Sequence, residues 1–291
     1  MNSSFRVIKT MIVFLPFFFT NILKKEKYEL SKYFDWFMQL NAFLVCIDFI
    51  LFFLIGKTIM NFTSSGFMPR PCGLLEDSNF FSYLMLIYIY YYKWKYGVYK
   101  KIYIMSLLLS GSFSAIFFFF ILLFLFRKKF TMHICSFQLK TTIVLISVIV
   151  VILYDCIAIN PDALVETIYS YEVNDLLKVK LISMVSRLNT IANAMTEMDT
   201  ISEYLLGIGA GKTRSLSEAG LNMHNSLLQL FLEMGSFLLF VVITIISFMI
   251  YYIKDTRWLI LFCVMLVLGV MMETLYNPIL SFIYYLSFTK Q

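Results

Sequence analysis

Residues 207–235 read GIGAGKTRSLSEAGLNMHNSLLQLFLEMG: a glycine-rich turn, a basic stretch, then a His-Asn pair at the mouth of a long apolar run. The chain has only two histidines, His133 and His224. An imidazole standing where a polar loop enters apolar surroundings can accept a proton beside water, as activation of a hydroxyl nucleophile requires. Asn225 or Ser226 can cap the helix that follows. The partial positive charge of a helix start pushes His224 toward its neutral, basic form and attracts a nearby phosphate. The plainer alternative is a histidine that caps or packs at an interface.

Charge for an anionic group is available in several guanidiniums. Arg70 lies in MPRPCGLLEDSNFFSYL (68–84), where Pro69, Pro71 and Gly73 fix the backbone, and an arginine held that rigidly suits bidentate phosphate binding. Arg187, in MVSRLNTIA, and Arg214 are further candidates, while Lys178, Lys180 and Lys212 are replaceable point charges. Gly207, Gly209 and Gly211 permit backbone conformations closed to other residues, and exposed amides in such a turn can hold an anion. GAGKT (209–213) is not read as a nucleotide-binding loop. The glycine that such a loop needs falls at position 206, which is Leu206, and no buried strand precedes it.

These residues need a scaffold, and composition says which kind. The chain has 291 residues, 60% of them hydrophobic and 14% charged, with a mean hydropathy of +0.80. That balance excludes a water-soluble domain. The expected fold is all-α: a polytopic integral membrane helical bundle of about 7–9 spans, some short or broken, forming a single membrane domain over 1–291. Continuous rather than alternating apolar runs argue against a closed barrel. The net charge of +6 sits in short clusters between apolar runs, a positive-inside pattern rather than a nucleic-acid footprint. The five cysteines are scattered with no CxxC spacing, so they read as small hydrophobes, not as disulfides or a metal site. TMIVFLPFFFTNIL (10–23) is followed by KKEK rather than a small-residue cleavage site, and reads as a short or broken first helix, not a signal peptide.

Spanning segments are expected at 34–56, 102–126, 141–159 and 228–253, the last directly after the His-Asn pair. Weaker ones fall at 10–23, 79–92 and 258–289, where Asn277-Pro278 should break the run. Basic clusters at 24–32, 93–101, 127–140 and 254–257 look cytoplasmic. The 160–227 segment carries eight acids and five bases and is expected to be a large extracytoplasmic loop, with 176–198 as a helix along the membrane surface. The 57–78 loop with Arg70 is expected on the same face. An odd number of crossings must then lie between 57–78 and 127–140. Either 79–92 is re-entrant, or 102–126 is a bent hairpin of short helices turning near Ser110-Gly111-Ser112. Asp48, Asp155, Glu233 and Glu273 fall near lipid depth, where carboxylates are costly and often functional. A transporter would use them for coupling ions; a structural role pairs Glu233 with a neighbouring helix or with the loop above it.

Three stretches resemble the O-antigen ligase and O-antigen (capsule) polymerase family of bacterial membrane glycosyltransferases. RPCGLLEDSNFFSYL (70–84) is similar to the family's Arg-x-x-Gly loop and following helix. SLLLSGSFSAIFFFFILLF (106–124) is similar to its Ser-Arg segment, although Phe113 stands where many members carry arginine. SRLNTIANAM (186–195), YLLGIGAGK (204–212) and HNSLLQLFLEMG (224–235) look like its large outer loop, Gly-x-Gly turn and His-Asn helix start. The span count is lower than members usually have, which reads as a reduced or truncated member.

The resemblance implies a multi-pass protein of the bacterial inner membrane that polymerises lipid-linked repeat units of O-antigen, capsule or exopolysaccharide. The donor is an oligosaccharide on polyprenyl diphosphate at the outer leaflet. His224 would be the base and Arg187 its catalytic partner. Arg70, Arg214 and the glycines 207, 209 and 211 would hold the diphosphate, with Asn225 and Glu233 in support. No cofactor, metal or nucleic acid is expected. Expected partners are membrane lipid, a chain-length regulator and a flippase. A ligase that transfers glycan to lipid A core, a transporter or flippase of lipid-linked oligosaccharide, and a non-catalytic scaffold are the alternatives.

Overall fold

The computed structural model describes residues 27–59, 62–65, 68–75, 77–126, 138, 140–146, 149, 193, 196–209, 211–215, 226–271 and 279–287. Helices dominate: α1 (Lys27–Ile55), α2 (Ser78–Tyr96), α3 (Lys101–Leu109), α4 (Phe113–Leu125), α5 (Ile201–Leu206), α6 (Lys212–Ser215), α7 (Ser226–Tyr252), α8 (Thr256–Met271) and α9 (Ile279–Ser287). One element departs from the all-α expectation: β1 (Phe62–Ser65) and β2 (Met68–Pro71) form an antiparallel hairpin pairing Phe62 with Pro71 and Thr63 with Arg70. Lys32–Ile55 and Leu227–Tyr252 are long and apolar enough to cross a bilayer, while Phe113–Leu125 and Thr256–Leu268 are apolar but shorter. The expected segment at 10–23 lies outside the described residues, as do most of 141–159 and 176–198. A helix ends at Met271 and another begins at Ile279, directly after Asn277-Pro278. The chain divides into two compact units, one of Phe19–Met132 with Tyr285–Gln291, the other of Met1–Phe18 with His133–Tyr284.

In the first unit α2 is the buried element. Asp77 caps its start by accepting the Asn79 and Phe80 N–H groups, and Gly97 ends it in the left-handed conformation that lets its N–H reach the Lys93 carbonyl. Lys93 and Lys95 lie in its last turn, where cations complement the helix dipole. Lys95 also bonds Asp35 of α1 at 2.8 Å. Contacts to α3 run backwards: Tyr92 and Tyr88 meet Tyr103, and Ser82 meets Ser110. Contacts to α4 run forwards: Tyr83 meets Ser114, Tyr90 meets Phe119, and Trp94 meets Phe126. Hence α3 is antiparallel to α2 and α4 parallel to it. Residues 102–126 are a hairpin of two short helices turning at Ser110–Ser112, the second of the two arrangements that crossing parity allowed.

The loop before α2 is tied to α1 by two polar residues of that apolar helix. Gly56 closes α1 on the Phe52 carbonyl, and the Ile59 N–H donates to Asp48 Oδ1 at 2.7 Å. The Leu74 N–H donates to Asn41 Oδ1 at 2.8 Å, and Asn41 Nδ2 donates to the Phe37 carbonyl. At Gly73, with φ of +62°, an added Cβ would fall 2.6 Å from Asn41 Oδ1. Asp48 therefore serves the backbone, as Asn41 does, because an unpaired N–H in apolar surroundings costs more than a buried polar side chain that meets it. Asn41→Leu orphans the Leu74 N–H and should cost about 1–3 kcal/mol. Gly97→Asn, in open space at a left-handed cap, should change stability little. Thermal unfolding of the detergent-solubilised protein compares the two.

Candidate functional site

In the second unit, the helix that follows the His-Asn pair is broken rather than continuous. Gly235, at φ +76° and ψ +177°, interrupts α7. In an unbroken helix the Leu232 and Glu233 carbonyls would accept from N–H groups four residues on. Here they accept from the Gly-x-Gly turn: Ile208 N–H reaches Leu232 O at 2.8 Å and Gly209 N–H reaches Glu233 O at 3.2 Å. The fit is reciprocal between two glycines. A Cβ on Gly207 would lie 2.3 Å from the Glu233 carbonyl carbon, and one on Gly235 would lie 2.1 Å from the Leu205 oxygen. No larger residue permits that approach.

Around the break sits a buried polar cluster. Glu233 is 1% exposed; its Oε1 accepts from Thr213 Oγ1 and from Gln229 Nε2 at 3.1 Å. Gln229 is also buried, and its Oε1 has no partner among the described residues. The loop is thus pinned to α7 twice, by backbone at 208–209 and by side chain at Thr213. Upstream, α5 starts in a capping box in which Thr200 and Glu203 bond each other's backbone. Those bonds, led by the Thr200 hydroxyl, hold the Glu203 carboxyl below its ordinary value. The support it gives is present at neutral pH and fades as pH falls through the carboxylate range.

Arg70 is positioned in the first unit. It stands on β2, half-buried, with Nη2 on Asn79 Oδ1 at 2.7 Å and Nε on the Ser110 carbonyl at 3.4 Å. Gly111, at φ +65°, packs against its methylenes. Burial lowers the guanidinium pKa from its ordinary value, and Asp77 and Tyr83 push it back up; the group stays charged. Ser82, Ser110 and Ser112 are buried, and Ser82 Oγ meets Ser110 Oγ at 2.7 Å.

His224, Asn225 and Arg187 lie outside the described residues. Arg214 belongs to α6, but its side chain lies outside them too. Of the three glycines, Gly207 and Gly209 give their N–H groups to the Glu203 and Glu233 carbonyls, which leaves neither for a phosphate; their part is architectural. Gly211, at φ +87°, opens the turn into α6. GAGKT follows a helix, and its Thr213 faces Glu233, consistent with rejecting a nucleotide-binding loop. Sequence reasoning missed Gln229 and Thr213. The i, i+4 spacing of Gln229 and Glu233 on one helix was the available signal. Among the described residues no cluster of His, Cys, Asp or Glu could hold a metal ion. Comparison with protein-family models, with curated protein sequences and with solved structures finds no match.

Gly207→Ala and Gly235→Ala each force a side chain into backbone and should lower unfolding free energy by about 3 kcal/mol or more. Thr213→Val, which removes one buried hydrogen bond to Glu233, should cost about 1–3 kcal/mol. The same thermal measurement ranks them, and Thr213→Val exceeding the glycine variants would contradict the backbone docking.

Proposed function

We propose that the chain is a multi-pass enzyme of the bacterial inner membrane, with about 7–9 spans, that polymerises lipid-linked polysaccharide repeat units at the outer face. The donor is glycan on polyprenyl diphosphate, and the acceptor is a sugar hydroxyl of a second lipid-linked unit. One observation carries the reading. The Gly-x-Gly turn is locked into the break of α7, which ties the outer loop to the helix that follows His224-Asn225 in sequence. A general base must be held to within fractions of an ångström, and a turn docked on the same helix, about two turns further along, supports that. The resemblance of the flanking stretches points the same way.

The chemistry is one displacement. The acceptor hydroxyl attacks the anomeric carbon, and its proton passes to the neutral His224 imidazole. The new carbon–oxygen bond forms as the bond to the diphosphate breaks, and the carrier leaves as polyprenyl diphosphate with inversion at the anomeric centre. Arg187, with Arg214 in support, balances the charge gathering on the leaving group, and Arg70 offers a further guanidinium to the carrier. Glu233, Thr213 and Gln229 position the helix rather than touch substrate.

His224→Ala and Arg187→Ala in the native host should each reduce polymerisation by about 100-fold or more. On a gel of surface polysaccharide the ladder collapses to a single repeat unit. A ligase would instead leave long lipid-linked chains unattached, and normal ladders in both variants would contradict the assignment.

A further inference from the structure

In the second unit a fixed cation stands at one end of an apolar groove. Residues 140–146 are helical, and a groove of about 350 Å³ lies between them and the last turns of α7. One wall is Lys140, Val144 and Leu145; the other is Ser247, Ile250 and Tyr251. Each set falls on one face of its helix. Ser247 donates its hydroxyl to the Ile243 carbonyl of its own helix at 2.8 Å, so that donor is already used. Leu145 is 57% exposed and Tyr251 67%, so the groove opens at the surface of the unit.

The cation is held in place. Lys140 Nζ donates to the Tyr251 carbonyl at 2.6 Å and to the Ile250 carbonyl at 3.5 Å, in the last turn of a helix, where carbonyls lack helical partners. It also lies 5.8 Å from the centroid of the Tyr251 ring. Its neighbourhood in the chain is cationic. The stretch 127–140 that leads to it holds four bases and no acid. Beyond α7, Lys254 is exposed, and the acid that follows it, Asp255, is paired with Arg257 at 2.7 Å.

These dimensions and charges select an occupant. The walls run for only about 7 Å, five residues at about 1.5 Å each, and a partner helix about 10 Å across needs a longer seat. An alkyl chain fits. A cation fixed at the polar end favours a negative headgroup, and basic pockets between spanning helices on the cytoplasmic side take anionic lipid headgroups.

We propose that this groove binds an anionic phospholipid of the cytoplasmic leaflet, with its phosphate against Lys140 and the first carbons of one acyl chain between Val144, Leu145 and Ile250. The inference rests on the reading of the chain as a membrane protein whose basic clusters face the cytoplasm, and is independent of glycan transfer. Tyr251 lies about 24 Å along α7 from Gly235, so the lipid steadies one end of this helix as the docked Gly-x-Gly turn steadies the other.

The test places photoreactive benzoylphenylalanine at Leu145 in the full chain, in nanodiscs of equal parts phosphatidylglycerol and phosphatidylcholine with identical acyl chains. After illumination, mass spectrometry counts the two lipid adducts. The same photoreactive residue at Phe240, exposed on α7 outside the groove, reports the bulk bilayer. In the groove, phosphatidylglycerol adducts should exceed phosphatidylcholine adducts by about fivefold or more, the weight of one lysine beside anionic lipid; the control position should stay near parity. Lys140→Gln should bring the groove to the control ratio, and Lys140→Arg should keep the preference. Because Lys140 also caps α7, Ser247→Trp is a second check: it fills the groove, leaves the lysine in place and should remove the preference equally. Equal adducts in the groove, a preference unmoved by Lys140→Gln or by Ser247→Trp, the same preference at the control position, or crosslinks to protein in place of lipid overturn the site. Lipid adducts at neither position contradict the membrane reading and the site with it. The counts need no glycan synthesis, so failure of the polymerase reading is a separate result.

Discussion

A backbone carried into apolar surroundings must find hydrogen-bond partners within the chain, and this requirement explains each irregular feature of the structure. Where α7 breaks at Gly235, the freed carbonyls of Leu232 and Glu233 are met by the amides of Ile208 and Gly209. Where the chain leaves α1, Asp48 and Asn41 meet the amides of Ile59 and Leu74. In both cases a polar group on an apolar helix is the partner of a loop, and a glycine at positive φ allows the contact. The loops are consequently fixed parts of the scaffold, which is what residues carried on loops need if they are to do chemistry.

That requirement also sorts the proposed roles. Gly-rich turns often bind phosphate through free amides. Here the amides of Gly207 and Gly209 are already bonded to carbonyls, so anionic charge has to be met by guanidiniums. The turn instead docks into the break of α7, through Leu232 and Glu233. Glu233 accepts from Thr213 and Gln229, which is the structural pairing with the loop above it that the sequence offered as one alternative.

Much of this was legible in the residues. The long apolar runs gave α1 and α7, since roughly 20 apolar residues in sequence have few other uses. The Ser110-Gly111-Ser112 interruption gave the α3–α4 turn as one of two options, and crossing parity narrowed it no further. The pairing of Tyr90 with Phe119 and of Trp94 with Phe126, which turns α4 back along α2 and distinguishes the options, is long-range and invisible to hydropathy. The β-hairpin was missed because FTSSGFMPRP is short and its prolines argue against a strand; Pro69 and Pro71 are tolerated in a two-stranded ribbon where one edge of each strand is unpaired. The break at Gly235 was missed because a single glycine in an apolar run is ordinarily carried within the helix. What makes it a break is its partner Gly207, nearly thirty residues earlier, and no local pattern records that.

The central claim is that this chain itself moves glycan from a diphosphate carrier to a hydroxyl. The most direct measurement uses the purified protein in lipid nanodiscs with a radiolabelled polyprenyl-diphosphate oligosaccharide and a metal chelator present. Chromatography should show free polyprenyl diphosphate appearing in step with carrier-linked glycan of two and more repeats, at a rate the chelator leaves unchanged. A carrier that stays intact while the protein remains folded, or glycan released only to water, would contradict the account.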